Sequence, residues 1–193
     1  MPRSKTFDTD IALNAVLEAF WSRGFASTSV EDLVQTTGLG RGSLYNFYPG
    51  KGALFRAALL RYDEVWTTPQ LTMLAGDEPL RARITKLLVN VIEEETATEP
   101  EHPRGCFAVN TALELASHDE EIRQMVSRIF LRVFDALCAA IGRDREERGS
   151  TSEAPVEDVA LLVLNTMYGL RVLGKTMPAD RLLPIVDLVL LSV

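Results

Sequence analysis

The sequence predicts an all-α protein of about nine helices. Two observations carry that expectation. Apolar residues recur at helical spacing through most of the chain, as in Leu13, Val16, Leu17 and Phe20, which lie at i, i+3, i+4 and i+7. No long segment alternates apolar and polar residues with the period of two that a half-buried strand needs. Composition adds that these helices pack. With 193 residues, 47 % of them apolar, the chain can bury the core of one compact unit or two small ones.

The first helix is expected over Thr9–Arg23, with Trp21 beside its apolar stripe and Gly24 as its stop. Ser29 caps the second, and Asp32 three residues later completes a capping box. Val30, Leu33 and Val34 form its inner face, and it ends near Thr37 at Gly38. The turn "GLG" leads to a third, short helix over about Gly40–Tyr48, which Pro49 and Gly50 break. A fourth runs from Lys51 to about Thr68. Five more follow: Leu80–Thr96, Gly105–Ala116, a long helix to about Arg143 opened by a capping box of Ser117 and Glu120, Val156–Lys175, and Asp180–Val193 with Pro184 near its first turn. "EEETATEPEHP" and "DREERGSTSEAP" read as polar loops. The domain boundary is expected near residue 52, giving domains 1–52 and 53–193, with no flexible linker between them.

Charge is distributed unevenly. The net charge is -7, yet residues 1–60 hold six Lys/Arg against five Asp/Glu and carry +1, so the acidic excess lies downstream. An N-terminal module of this kind can approach phosphate even when attached to an acidic domain, because exposed charges more than about 10 Å apart are screened. Several classes are disfavoured. No apolar run approaches the roughly 18 residues of a membrane span, and "MPRSKTFDTD" does not read as a secretory signal, so a cytoplasmic protein without membrane partners is expected. Cys106 and Cys138 form neither a disulfide framework nor a zinc pattern, and no metal or cofactor is expected. Nucleophile elbow, P-loop and HExxH motifs are absent, and His102 and His118 are the only histidines, which argues against an enzyme.

Two short helices joined by a tight Gly-containing turn and packed on a preceding helix describe a helix-turn-helix. On the third helix, Leu44, Phe47 and Tyr48 can face a core. Gly42, Ser43, Tyr45 and Asn46 fall on the other sides, a combination suited to a DNA groove. Arg41 can reach guanine or phosphate. Lys51 adds a cation beside a helix N-terminus for one phosphate.

Residues 8–56 resemble the DNA-binding domain of the TetR family of bacterial transcription regulators. The residues that carry the likeness run from Gly24 to Leu54: "GFASTSV", then "GLGRGSLYNFY", then Lys51 and Leu54. Two positions depart from the family's usual pattern. Asn46, Phe47 and Tyr48 stand where His and aromatic residues are common, and Gly52 stands where an acidic residue usually follows the lysine. The resemblance implies a helical homodimer that binds a double-stranded operator through its first three helices and a small-molecule effector through later ones. It implies DNA contacts from Thr28, Arg41, Gly42, Ser43, Tyr45, Asn46, Tyr48 and Lys51, with capping or packing the competing role for Thr28, Ser43 and Tyr48.

The second half resembles, more loosely, a branch of that family with a Gly-Cys-hydrophobic helix, here "GCFAVNTALELASHDEEIR". Candidate pocket residues are Trp66, Asn90, Phe107, Asn110, Phe134, Asn165, Met167 and Tyr168, apolar or amide side chains set among apolar neighbours. Core packing is the alternative for each. Asn90, Asn110 and Asn165 come from three helices that could converge, and a buried amide needs a partner. Cys106 reads either as a small buried hydrophobe or as a reactive thiol near a helix N-terminus, with His102 and Arg104 close in sequence. The resemblance adds a thiol sensor of electrophiles or oxidants at this place, with Lys175 as the associated lysine. The last two helices, "VEDVALLVLNTMYGLRVLG" and "DRLLPIVDLVLLSV", are apolar nearly all round and are expected to pair across a two-fold axis. The expected function is a ligand-released repressor. The alternatives are a thiol-based regulator using Cys106, or a helical dimer of the same fold that does not bind DNA.

Overall fold

Helix follows helix in the computed structural model, which describes residues 5–97, 104–149 and 154–193, and no strand occurs among the described residues. Helix α1 spans Lys5–Arg23, opening before the expected Thr9 because no Gly or Pro interrupts Lys5–Asp8. Helix α2 spans Val30–Thr37 and starts with the expected capping box. The Asp32 amide donates to Ser29 Oγ at 3.1 Å, and the Ser29 amide donates to Asp32 Oδ2 at 2.8 Å. Hydrogen bonds from Ser29 hold the Asp32 carboxyl below its ordinary range, with Arg23 adding to the effect. Helix α3 spans Arg41–Phe47 and α4 spans Lys51–Tyr62.

The helix begun at Lys51 does not stop near Thr68. It widens into a π-helical turn over Asp63–Thr67 and continues as α5, Thr68–Ala75. Pro69 lies in the first turn of α5, where it has no N–H to donate, and a wider turn just before it relieves the clash its ring would cause. Helix α6 spans Leu80–Thr96 and α7 spans Phe107–Leu115. Helix α8, Glu120–Arg148, is not capped by Ser117 as expected. The amides of His118 and Asp119 both donate to Leu115 O, so Ser117 lies in the turn that ends α7. Asp119 takes the cap instead, its Oδ1 accepting from the Ile122 amide at 3.0 Å. Helix α9 spans Val156–Leu173, and the last expected helix is two pieces, α10 at Ala179–Leu182 and α11 at Pro184–Leu190. With α4–α5 and α10–α11 each taken as one element, the described residues hold the nine expected helical elements.

The chain forms two compact units. One takes the chain up to Trp66 together with Phe107–Val126, and the other takes Thr67–Cys106 with Ser127–Val193. Helix α7 thus belongs to the same unit as the N-terminal helices. The first unit is built on Val16, Leu17 and Phe20 of α1, Leu33 of α2, Leu44 of α3 and Leu54, Phe55, Ala58 and Leu59 of α4, all buried. Rings knit it together: Phe55 stands edge-on to Phe20 at 5.0 Å, Phe25 at 5.1 Å and Phe107 at 5.4 Å between centroids. The second unit packs Ile84, Leu88 and Ile92 of α6 with Val133 and Leu137 of α8, Val163 and Met167 of α9, and Val186 of α11. No described helix is long and apolar enough to cross a membrane.

Candidate nucleic-acid interface

The reading head is assembled by local chemistry. Gly38 closes α2 with its amide on Val34 O, and the tight turn through Gly40 leads directly into α3. Leu44 is buried and anchors α3 from below. Arg41, Gly42, Ser43 and Asn46 are exposed, so four of the expected contact positions share the solvent side of a helix that has no acidic residue in its first turn. The side chains of Tyr45 and Phe47 lie outside what the structure describes. Tyr48 is half-buried, as a residue that also packs would be.

Arg41 pairs with Glu31 of α2 at 2.9 Å, with both side chains largely exposed. Such a pair contributes little, so a phosphate can displace Glu31 at small cost. Lys51 opens α4, whose first turn carries no acidic side chain and whose N-terminal amides have no side-chain cap. Its ammonium sits 4.4 Å from the centroid of the Phe25 ring. A lysine beside an uncapped helix N-terminus is the arrangement that takes a phosphate oxygen.

Thr28 takes the competing role, packing within the turn. It is fully buried, and its hydroxyl donates to Gly24 O at 2.7 Å, so its side chain serves the α1–α2 turn rather than a duplex. The conformation explains this. Gly24 takes φ +80°, turning the chain so that Thr28 folds back over the end of α1.

The expected pocket residues are divided between the two units. Asn90 and Asn165 are exposed, so neither is a buried amide in need of a partner. Asn110 is half-buried and belongs to the first unit, whereas Asn90 and Asn165 belong to the second. Phe107 lies in the aromatic cluster of the first unit, where Trp66 also stands edge-on to Trp21 at 5.1 Å. Met167 is core, Phe134 packs against that core, and the Tyr168 ring lies tilted against Phe130 with centroids 4.7 Å apart. The helical period that made these positions look alike cannot separate a pocket wall from a core face.

Cys106 is buried, and Lys175 approaches the residue before it. Gly105 takes φ +68°, which favours glycine, and a Cβ placed there would lie 2.4 Å from Lys175 Cε and 2.7 Å from Nζ, so a side chain would require the lysine to shift. Sequence reading missed what holds this corner. The Gly105 amide donates to Glu95 Oε2 at 3.1 Å. Arg171 donates to Glu95 Oε1 at 2.9 Å and also meets Glu94 Oε2 at 2.6 Å. Glu95 and Arg171 are both buried. The signal was present, since Arg171 is the one cation in the apolar run Val159–Leu173 and a buried arginine needs a carboxylate. His102 lies outside the described residues. Cys138 is half-buried, and burial, with Glu157 and Asp135, pushes its thiol up, away from reactivity.

Comparison with known proteins matches this geometry. Residues 12–58 match the family described as bacterial regulatory proteins, tetR family, and residues 81–183 match the tetracyclin repressor-like C-terminal domain. The chain belongs to the TetR family. Like its TetR relatives it is a DNA-binding transcriptional regulator and not an enzyme. The uncharacterized HTH-type transcriptional regulator YezE of Bacillus subtilis is 27 % identical over 189 residues, covering 97 % of this chain and 96 % of that one. The HTH-type transcriptional repressor ComR of Escherichia coli is 30 % identical over 121 residues, covering 62 % and 57 %. Among solved structures, a cysteine variant of the TetR regulator CifR complexed with 26-bp double-strand operator DNA superposes with a TM-score of 0.84 at 27 % identity, covering 100 % of this chain and 98 % of that one. Reduced Escherichia coli NemR has the same fold, with a TM-score of 0.78 over 94 % of this chain and 95 % of that one at 19 % identity.

Proposed function

We propose that this TetR-family regulator is a repressor that binds a pseudo-palindromic operator as a homodimer and is released by a small molecule. One observation carries the reading: α3, with its exposed face, is followed within a few residues by a lysine at the uncapped N-terminus of α4. Arg41, Gly42, Ser43, Tyr45, Asn46, Tyr48 and Lys51 are the contact residues, with Thr28 set aside for its burial. The operator-bound CifR structure and the repressor ComR support DNA binding and the sign of regulation. The dimer forms through α9, α10 and α11, whose exposed apolar side chains include Leu162, Val172, Leu173 and Leu188. Two heads held by one two-fold axis meet successive major grooves. The effector shifts the population toward a spacing that does not fit them.

Binding is expected to weaken steeply with salt, each phosphate neutralised adding about -0.9 to the slope of log K against log salt. Lys51→Ala is expected to weaken binding about tenfold, irrespective of sequence, and to make that slope shallower by about one, since a single phosphate is no longer neutralised. Fluorescence anisotropy on random duplex across a salt series measures both. No binding at low salt would overturn the reading.

A second reading, release by an electrophile or oxidant through Cys106, is favoured by the Lys175 side chain lying over Gly105, next to the thiol in the chain. The thiol is buried, so it reacts only when this segment opens. Alkylation of the wild type is then expected to release DNA, and Cys106→Ser is expected to stay bound. Equal release from both proteins would remove Cys106 from the mechanism.

A further inference from the structure

We infer that Glu114 is a positioning residue for DNA binding: it clamps the turn between α1 and α2 so that the Phe25 ring holds the Lys51 ammonium in place. The inference rests on the reading of Lys51 as a phosphate contact. Glu114 closes α7 on the side of the reading head, yet it is neither a DNA-contact residue nor part of the apolar core.

Its carboxylate reaches across 88 and 89 residues of sequence to two consecutive amides. Phe25 N donates to Oε2 at 2.9 Å and Ala26 N donates to Oε1 at 2.7 Å. This is a two-pronged, charge-assisted grip on backbone that belongs to no helix. It is built tightly. At φ +80°, a Cβ on Gly24 would be strained and would lie 2.9 Å from Oε2, so a side chain at that position would require the carboxylate to shift.

The grip fixes the backbone from which the Phe25 ring extends. That ring lies 5.1 Å from Phe55 and 6.1 Å from Phe20, wedged at the edge of the aromatic cluster. Lys51 Nζ lies 4.4 Å over it. A lysine side chain carries large rotamer entropy, and a ring beneath its ammonium removes part of that freedom before a phosphate arrives. Glu114 therefore acts on DNA without touching it, through Phe25 and Lys51.

The test is a double-mutant cycle on the full chain, using duplex selected from a random pool by the wild-type protein. Glu114→Gln keeps the length but places an amide NH2 where one acceptor stood. At a temperature where the variants are fully folded, it is expected to raise Kd about fivefold. Lys51→Ala is expected to raise it about tenfold, and the double variant to match Lys51→Ala within about twofold, because both changes remove the same interaction with phosphate. Phe25→Leu keeps the clamped amide and removes the ring; it is expected to behave as Glu114→Gln does. The inference is overturned if Glu114→Gln lowers the melting temperature but leaves Kd unchanged, or if its effect multiplies with that of Lys51→Ala. Should Glu114→Gln fail to fold, Phe25→Leu decides by the same two criteria. A wild-type protein that binds no duplex at low salt overturns the DNA-contact reading itself, and this inference with it.

Discussion

Replacing Arg171 with methionine is expected to destabilise the protein by about 3–5 kcal/mol, the usual cost of leaving a buried charge without its partner. The side chains of Arg171 and Glu95 are only 8 % and 3 % exposed. Removing the guanidinium would strand the Glu95 carboxylate beside the Gly105 amide and take away the Glu94 pairing as well. Gly174 lets α9 approach the stem of Glu95 closely, since a Cβ there would lie 2.5 Å from Glu95 Cβ. Urea unfolding at one fixed protein concentration measures the effect. The double variant Arg171→Met with Glu95→Gln is expected to recover most of the stability, because Gln still accepts from Gly105 and no buried charge remains. A single-variant effect below about 1 kcal/mol would show that the pair is effectively solvated.

Phe55→Ala is expected to cost a similar amount, about 3–5 kcal/mol, but in the other unit. Phe55 is 1 % exposed and touches rings from α1, the α1–α2 turn and α7. Truncation leaves a cavity bounded by three aromatic residues that have little room to collapse. Domains of this size are stable by only about 5–15 kcal/mol, and each kcal/mol shifts Tm by about 2–4 °C. The melting temperature should therefore fall by about 10 °C, and DNA affinity should fall with it as the reading head loosens. Phe55→Leu, which keeps most of the volume, is expected to cost less than half as much. Equal effects from the two substitutions would show that the ring cluster is not closely packed.

These two sites differ in how visible they were beforehand. Leu33, Leu44 and Phe55 sit at helical spacing within a recognisable pattern, so the first unit was legible as a helix-turn-helix. The Ser29–Asp32 capping box was legible too, because both partners lie within one turn. The Ser117–Glu120 pair has the same spacing and forms no box, since Leu115 O claims the neighbouring amides for the end of α7. The Arg171–Glu95 pair joins residues 76 apart, a distance over which no periodicity carries information. Glu114 was visible within a motif, but its partners, Phe25 and Ala26, are backbone amides that no side-chain pattern announces.

The sequence by itself determined the all-helical class, the reading head and its family, and the cap of α2. These follow from interactions spanning a few residues, where spacing and side-chain type decide the outcome. Only the tertiary structure decided that Thr28 is buried, that Asn90 and Asn165 are exposed, that α7 packs with the N-terminal helices, and that Glu114 and Arg171 hold corners of the fold. Each of those depends on which faces meet after distant segments pack, and an amphipathic pattern says that a face is buried without saying against what.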